Sequence, residues 1–236
     1  MNAPSDDVIT TAKGELEVHA IHHASLMLTW SDKCVLVDPA PLPGQGPRGL
    51  AVFKELPTPD VIVFTHDHFD HFDMPTLDAV AGPATGIVAP QHVCDAEPKE
   101  LQARTKVMKN GDRAVVCGIP MEAVPMYNTT PERTRFHPKG WGNGYILMLG
   151  GKRIYVAGDT EEAPELAHLN DIDAAFLPMN IPYTLTVEAA AQWVRDFRPR
   201  IVYPYHFRNP DGALSDLKAF TSEVGRASEV RILKWY

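Results

Sequence analysis

Short apolar runs separated by turn residues dominate the first two thirds of the chain. Runs of this length, bounded by Gly, Pro, Asn or Asp, are typical of β-strands. The pairs Asp32-Lys33 and Gly150-Gly151 predict hairpin turns between neighbouring runs. The pattern predicts strands over residues 16–21, 25–30, 34–37, 61–64, 86–89, 105–108, 113–117, 121–124, 145–149 and 153–156.

Helical periodicity enters mainly in the last third of the chain. Asp73 is a suitable cap for an earlier helix that begins near Met74-Pro75, and Thr186 is a suitable start for a later one. The pattern predicts helices over residues 164–169, 186–197 and 214–224, alternating with strands over 174–177, 201–203 and 230–233. The stretch 40–49 is rich in Pro and Gly and is expected to be loop.

Strands lead, β–α alternation follows, and no low-complexity linker interrupts the chain. We therefore expect one α/β domain over residues 1–236, with two mixed sheets flanked by helices. The length of 236 residues, with 44% hydrophobic and 22% charged residues, fits a folded domain of this size.

Charge and composition exclude several classes of function. The formal net charge of −8 disfavours binding to nucleic acid or to an anionic membrane surface. No segment approaches the roughly 18 consecutive apolar residues of a membrane span, and residues 1–17 lack the pattern of a secretory signal. The three cysteines are scattered and form no C-x-x-C motif, so we expect a reducing, cytoplasmic location.

The segment Thr65-His66-Asp67-His68-Phe69-Asp70-His71 is the strongest chemical signal in the sequence. Imidazole and carboxylate groups are the ligands of Zn, Mn, Fe and Ni, and an H-x-H-x-D-H spacing supplies four of them from one loop. The cluster directly follows the apolar run 61–64 and therefore lies at the end of a predicted strand, where sites in α/β folds collect. The alternative is a polar surface loop that is histidine-rich by chance.

Two further candidate ligands also follow predicted strands. Asp159, in the turn Gly158-Asp159-Thr160, follows the strand over 153–156, and its carboxylate could bridge two metal ions. His206 follows the strand over 201–203 in the same way. Taken alone, Asp159 could equally cap a helix or form a turn, and a single histidine after a strand is more often structural.

Together with Asp38-Pro39, which ends an early strand, these motifs resemble the metallo-β-lactamase-fold hydrolases. The resemblance extends from about Ile21 to His206. Within that superfamily the lactonase-like and phospholipase-D-like branch is most similar. The similarity to this branch rests on Ile21-His22-His23-Ala24-Ser25, Gly144-Tyr145, Ala157 to Thr160, Leu177-Pro178-Met179 and Pro204-Tyr205-His206.

The resemblance implies a four-layer αββα sandwich and a dinuclear metal site. By position, His66 and His68 would bind a first metal ion, whereas Asp70, His71 and His206 would bind a second. Asp159 would bridge the two ions, and Asp38 would orient a ligand histidine. Zinc is the first expectation for both ions, with manganese, nickel and iron as alternatives.

Such a pair of cations lowers the pKa of water toward neutrality, which makes a hydroxide nucleophile available at pH 7. Asp70 would also act as the catalytic acid and base. The sequence thus predicts a hydrolase for an ester, lactone or phosphoester bond.

The chain departs from the family at one ligand position. The family supplies a third histidine to the first metal after the strand that here ends in Val124-Pro125-Met126-Tyr127, and this chain has Asn128 there. Two replacements are open: His137, nine residues further along the same loop, or the weaker amide ligand of Asn128 itself.

The substrate is less clearly indicated by the sequence. Arg135, Lys139 and Trp141 make the loop over 127–143 locally basic, which favours a small anionic substrate. The branch resemblance adds His23 as a substrate contact, and Tyr183 follows a predicted strand and is a further candidate. A solvated basic loop and a structural histidine are the alternatives.

Two other functions remain open at this point. The same ligand set could hold iron in an oxidoreductase, or the fold could serve as a non-catalytic metal-binding module. Oligomers occur in the families that the chain resembles, so assembly is also open.

Overall fold

The computed structural model describes residues 5–42, 44–45 and 47–236. Two seven-stranded sheets form its centre. In the first sheet, spatial order follows chain order: β1 (Asp7–Thr11), β2 (Gly14–His22), β3 (Ser25–Trp30), β4 (Lys33–Val37), β5 (Val61–Val63), β6 (Gly86–Ala89) and β7 (Thr105–Val107).

The second sheet is built from the rest of the chain, again with consecutive strands side by side. Its strands are β8 (Arg113–Val116), β9 (Ile119–Met126), β10 (Gly142–Leu149), β11 (Lys152–Val156), β12 (Ala174–Pro178), β13 (Ile201–Tyr205) and β14 (Glu229–Val230).

Each sheet is antiparallel over its first four strands and parallel over the remaining pairs. In the first sheet the direction changes at β4, which pairs in parallel with β5. In the second sheet it changes at β11, which pairs in parallel with β12. Because the parallel strands of one sheet all end at the same edge, the loops that follow them collect there.

The helices lie between the parallel strands along the chain. They are α1 (Pro47–Lys54), α2 (Met74–Val80), α3 (Gln91–Ala96), α4 (Lys99–Gln102), α5 (Val187–Phe197) and α6 (Leu217–Val224), with a 3₁₀ helix at Pro164–His168. No helix in the described part of the chain is long and apolar enough to cross a membrane.

Two apolar clusters fix the layers. The larger contains residues of both sheets, such as Leu26 and Tyr145, and extends to Trp193 of α5. The smaller joins strand residues of the first sheet to the helices that cover it, for example Ile62 to Leu77 of α2. Helices therefore flank two mixed sheets, which confirms the predicted αββα sandwich.

Most predicted elements are present, and the differences lie at their ends and in short elements that were not predicted, such as β1 and α1. Helix α5 begins directly after Thr186, whose hydroxyl accepts from the Ala189 N–H. Helix α6 begins at Leu217, three residues later than predicted, because Asp216 provides the cap. Helix α1 begins at Pro47, inside the stretch expected to be loop; residues 43 and 46 of that stretch lie outside the described residues.

Candidate metal centre

The loop after β5 brings its histidines and Asp70 to the edge where the parallel strands end. The N–H groups of His71 and Phe72 both donate to the carbonyl of His68, at 2.9 and 2.8 Å, and this turns the loop tightly. His66 and His71 are buried, whereas His68 and Asp70 are half-buried. The loop therefore points four candidate ligands into a small volume.

Asp38, the residue after β4, holds this loop in place. Its Oδ1 accepts from the Thr65 N–H at 2.7 Å, and its Oδ2 accepts from the Thr65 hydroxyl at 2.7 Å. The same Oδ2 lies 2.8 Å from Nδ1 of His71. Because a carboxylate only accepts, His71 carries its proton on Nδ1, and its Nε2 is directed at the centre of the site.

Three ring nitrogens converge on one side of the site. Nδ1 of His68 lies 3.1 Å from Nε2 of His66 and 3.2 Å from Nε2 of His137. A single proton on Nδ1 of His68 cannot satisfy the lone pairs of both other nitrogens. A shared cation would satisfy all three, so these histidines form a suitable first cation position.

Asn128 fixes the position of His137. Its Oδ1 accepts from Nδ1 of His137 at 2.7 Å, and its backbone N–H donates to the His137 carbonyl at 3.0 Å. Its Nδ2 donates to the carbonyl of Tyr183 at 2.8 Å. The amide oxygen of Asn128 is therefore used to orient the imidazole of His137, and Nε2 of that ring faces the other histidines.

Asp159 lies between the two groups of histidines. One carboxylate oxygen, Oδ1, is 3.3 Å from Nε2 of His71 and 3.6 Å from Nε2 of His206. The other oxygen, Oδ2, is 3.5 Å from Nε2 of His137. The carboxylate thus presents one oxygen to each side of the site.

A second candidate cation position is formed by Asp70, His206 and His23. Oδ2 of Asp70 lies 3.4 Å from Nε2 of His206 and 3.2 Å from Nε2 of His23. Nδ1 of His23 is 2.9 Å from the hydroxyl of Tyr236. Since Asp70 can only accept, His23 donates through Nε2 and accepts from Tyr236 through Nδ1.

The protonation states suit ligand binding on the first side. Burial lowers the pKa of His137 to about 4 and holds the pKa of His66 well below its usual range, so both imidazoles are neutral at pH 7. Burial opposes ionisation of Asp159, yet its histidine neighbours His206 and His71 hold its pKa well below the usual value. Neutral imidazole and ionised carboxylate are the forms that bind metal ions.

His71 differs from its neighbours. Burial disfavours its charged form, but the carboxylates of Asp159 and Asp38 outweigh this and raise its pKa well above the usual value. The extra proton would lie on Nε2, facing Asp159. A cation at this place would compete with that proton for the same lone pair.

The described residues fit a bound metal ion. Three buried ligand atoms have no hydrogen-bond partner among them: Nε2 of His71, Oδ1 of Asp159 and Nε2 of His206. Buried polar atoms are almost always satisfied, and these three unsatisfied atoms lie together in one site. The set of imidazole and carboxylate donors is the set that zinc and its neighbours prefer.

A cleft of about 770 Å³ opens onto this site. His68, Asp70, Asp159 and His206 form its floor. Its walls are formed by apolar and polar side chains from the surrounding loops. They comprise Leu42, Phe69, Phe136, Tyr183, Pro210, Gln45, Asn180, Asn209 and Arg208.

A family model for the beta-lactamase superfamily domain matches residues 33–207. That range includes every candidate ligand described above except His23. The chain belongs to the beta-lactamase superfamily. The predicted resemblance to metallo-β-lactamase-fold hydrolases is thereby confirmed. The narrower lactonase-like and phospholipase-D-like branch stays a prediction.

Relatives agree with this assignment over nearly the whole chain. A metal-dependent hydrolase of Thermococcus onnurineus (strain NA1) is 30% identical over 223 residues, 93% of this chain and 96% of the relative. A crystal structure from Parabacteroides distasonis ATCC 8503, provisionally described as a metal-dependent hydrolase, has 39% identity and a TM-score of 0.85 over 98% of both chains. The metallo hydrolase Igni18 of Ignicoccus hospitalis KIN4/I, at 19% identity, shares the fold with a TM-score of 0.71 over 93% of this chain and 95% of its own. This chain is a metal-dependent hydrolase of the superfamily.

The structure brings some of the predicted substrate contacts of the hydrolase to the cleft and leaves others outside it. His23 and Tyr183 line the cleft. Lys139 forms an ion pair with Glu165, and Arg135 lies over the ring of Phe136; both line a different, shallower cleft.

Trp141 lies beside the metal loop and outside the cleft lining. Its indole Nε1 donates to Oδ1 of Asp67 at 2.7 Å, and its ring stacks on His92. A substrate contact by Arg135, Lys139 or Trp141 stays a prediction.

Three residues of the hydrolase's site carried no sequence signal that we used. Thr65 stands directly before the histidine cluster, and its hydrogen bonds link Asp38 to the metal loop. Tyr236 reaches His23 across the fold, and Arg208 lines the cleft two residues after His206. Of Tyr236 and Arg208, only Arg208 stands close to a candidate ligand in the sequence, and that position could have indicated its role.

Proposed function

We propose that this hydrolase binds two divalent cations side by side and cleaves an ester, lactone or phosphoester bond of a small molecule. The observation that carries the proposal is the position of Asp159. Its two oxygens face two separate groups of histidines, which is the arrangement expected of a carboxylate that bridges two cations.

The residues that we assign to the cations follow from the contacts described above. His66, His68 and His137 would hold the first cation, and His71, Asp70 and His206 the second. Zinc is the first expectation, with manganese, nickel or iron as alternatives. Bound there, two such ions would lower the pKa of water toward neutrality and polarise the oxygen of the scissile bond.

Asp70 is the residue that we expect to transfer protons. Its carboxylate faces the cleft, and its pKa lies well below the usual range because the neighbouring imidazoles of His206 and His23 outweigh the effect of burial. It is therefore ionised at pH 7 and able to take the proton of the attacking water. The same carboxylate would then return the proton to the leaving oxygen.

His23 and Tyr236 would hold Asp70 in position during this transfer. Burial lowers the pKa of His23 to about 4, so its ring stays neutral and donates one hydrogen bond to Asp70. The Tyr236 hydroxyl, which accepts from the Arg208 N–H at 3.2 Å, fixes the tautomer of His23. We expect this chain of contacts to keep one oxygen of Asp70 directed at the substrate.

We place this reaction in the cytoplasm, because all three cysteines are free thiols.

The test combines metal analysis with assays of two variants. Protein purified without added metal or chelator is expected to contain about two ions per chain and to hydrolyse members of an ester, lactone and phosphoester panel. We expect His68→Ala and Asp159→Ala to lower kcat/KM at least about 100-fold while circular dichroism stays unchanged. His92→Ala removes an exposed imidazole outside the site and serves as the matched control.

Full activity in His68→Ala or Asp159→Ala would refute the assignment, as would failure to bind metal after reconstitution. A single iron ion with oxygen-dependent turnover would instead favour the oxidoreductase alternative.

A further inference from the structure

Arg208 is a cation at the wall of the metal cleft, and it has no acidic partner among the described residues. It lines the cleft together with His206 and Asp70. Its guanidinium carbon lies 4.1 Å from the ring centroid of Tyr236, so the planar group is stacked on the aromatic face. Stacking fixes the plane of the guanidinium and leaves its N–H groups free to donate along the edge.

The backbone N–H of Arg208 donates to Tyr236, but no hydrogen bond from its guanidinium to a described residue is found. Its Nε is buried and has no hydrogen-bond partner among the described residues. No carboxylate of the described chain lies within ion-pair distance of its side chain. A buried donor that is left unpaired is unfavourable, and a bound ligand at the neighbouring cleft would supply an acceptor for the guanidinium.

Other basic side chains near the loops are already engaged. Arg133 is paired with Glu161, and Lys139 is paired with Glu165. Arg135 lines the separate shallow cleft. In the described part of the chain, Arg208 is therefore the cationic side chain that faces the metal cleft without a counter-ion.

The remaining wall of the cleft indicates what accompanies the anionic group. Phe69, Phe136, Leu42 and Pro210 are apolar, and Phe69 is largely exposed. The polar wall residues Asn180 and Asn209 are neutral. A ligand that fits this cleft carries one oxyanion and an apolar body.

We propose that Arg208 binds an oxyanion of the substrate, a carboxylate or a phosphate, through paired hydrogen bonds from its guanidinium, while the scissile ester lies over the metal site. The oxyanion is not the group that is hydrolysed. The apolar part of the substrate lies between it and the reacting bond, against Phe69 and Phe136. This inference rests on the proposed hydrolytic function and names the substrate class that the same cleft selects.

Three matched 4-nitrophenyl esters test this selection with the metal-loaded enzyme. Their acyl chains have equal length and end in a carboxylate, a phosphonate or a neutral methyl ester. We expect the wild-type enzyme to prefer a charged ester, and the preferred anion distinguishes a carboxylate source from a phosphate source. In Arg208→Gln, the charged-to-neutral ratio of kcat/KM should fall about 10- to 100-fold, mainly through KM, as expected for loss of a charge-assisted hydrogen bond.

Further variants separate recognition from damage to the fold. Arg208→Lys keeps the charge but not the paired donors, so an intermediate ratio is expected. Arg113→Gln removes an exposed arginine on the second sheet and should leave the ratio unchanged. The proposal would be overturned if Arg208→Gln lost kcat/KM equally on all three esters or kept the wild-type ratio. It would also be overturned if Arg135→Gln lost the preference for charged esters while Arg208→Gln kept it.

A binding measurement keeps this inference separate from the hydrolytic function. Calorimetric titration of the metal-loaded protein with glutarate or with a phosphonate of the same length needs no turnover. If no ester is hydrolysed, yet one of these anions binds the wild type at least 10-fold more tightly than Arg208→Gln, the proposed reaction fails and the anion site stands. Equal binding to both proteins would refute the anion site whatever the activity.

Discussion

Asn128 stands where the resemblance to the superfamily predicts a metal-binding histidine, and its contacts support a role in positioning a different histidine. Its side chain accepts from Nδ1 of His137, donates to the carbonyl of Tyr183 and so orients the imidazole that we propose as the replacement ligand. The sequence offered both His137 and Asn128 as replacements. The contacts favour His137 as the ligand and Asn128 as the residue that positions it.

Asn128→Ala should therefore weaken the first metal position and leave the second largely intact. Loss of a hydrogen bond that orients a ligand histidine typically lowers metal affinity by about 10- to 100-fold. Competition with a coloured chelator would measure the two affinities separately. Asn128→Asp retains an acceptor at the same place and should restore much of the metal affinity. If Asn128→Ala binds metal as tightly as the wild type, His137 does not need Asn128 to hold its ring in position.

At the scale of single elements, the ends of strands carry unusual backbone geometry. Asp38 after β4, His23 after β2 and His206 after β13 are non-glycine residues with positive φ, at 45°, 54° and 45°. This left-handed conformation costs about 1–2 kcal/mol per residue. Its occurrence at three site residues indicates that the surrounding packing holds them there and directs their side chains.

The turn after β11 also requires a residue with positive φ, and there the chain has a glycine. Gly158 has a φ of +67°, and a Cβ at this position would lie 2.6 Å from Sδ of Met126. Gly158→Ala should destabilise the protein by about 2–4 kcal/mol, through backbone strain and overpacking, and displace the adjacent Asp159.

Urea unfolding and metal content should be measured together for this variant. Thr186→Ala, which removes the cap of α5 on the far side of the second sheet, is the control: it should cost about 1 kcal/mol without loss of metal. A Gly158→Ala protein with the full metal content would show that Asp159 does not depend on this turn.

At the scale of the whole molecule, two sheets with the same sequence of antiparallel and parallel pairings supply the site jointly. Asp38 and the metal loop follow β4 and β5, and Asp159 and His206 follow β11 and β13 of the second sheet. A cation bound between them therefore links the two sheets, and binding energy contributes directly to the stability of the folded state.

Removal of metal should consequently lower the melting temperature. At a free metal concentration 1,000-fold above Kd, bound metal contributes about 4 kcal/mol per site, which for a chain of this size corresponds to roughly 10 °C. Thermal unfolding with and without chelator measures the difference. Asp159→Ala should show a much smaller shift, and an unchanged melting temperature in the chelated wild type would contradict a cation that links the sheets.

Local patterns were sufficient to predict most of the strands, the cap of α5 and the ligand loop, because strand alternation, turn residues and ligand spacing act over a few residues. Helices α1, α3 and α4 were not anticipated; they are short and their apolar positions follow no clear period. The single-domain organisation stays a prediction.

The sequence alone determined the kinds of ligand, their order along the chain and the strand ends from which they project, since these are properties of neighbouring residues. The tertiary structure alone decided which distant groups meet. His137 rather than Asn128 faces His68, Tyr236 reaches His23, and Arg208 rather than Arg135 lines the cleft. The physical reason is that such contacts depend on how loops from two sheets pack at one edge, and neither hydrophobic period nor residue spacing encodes that packing.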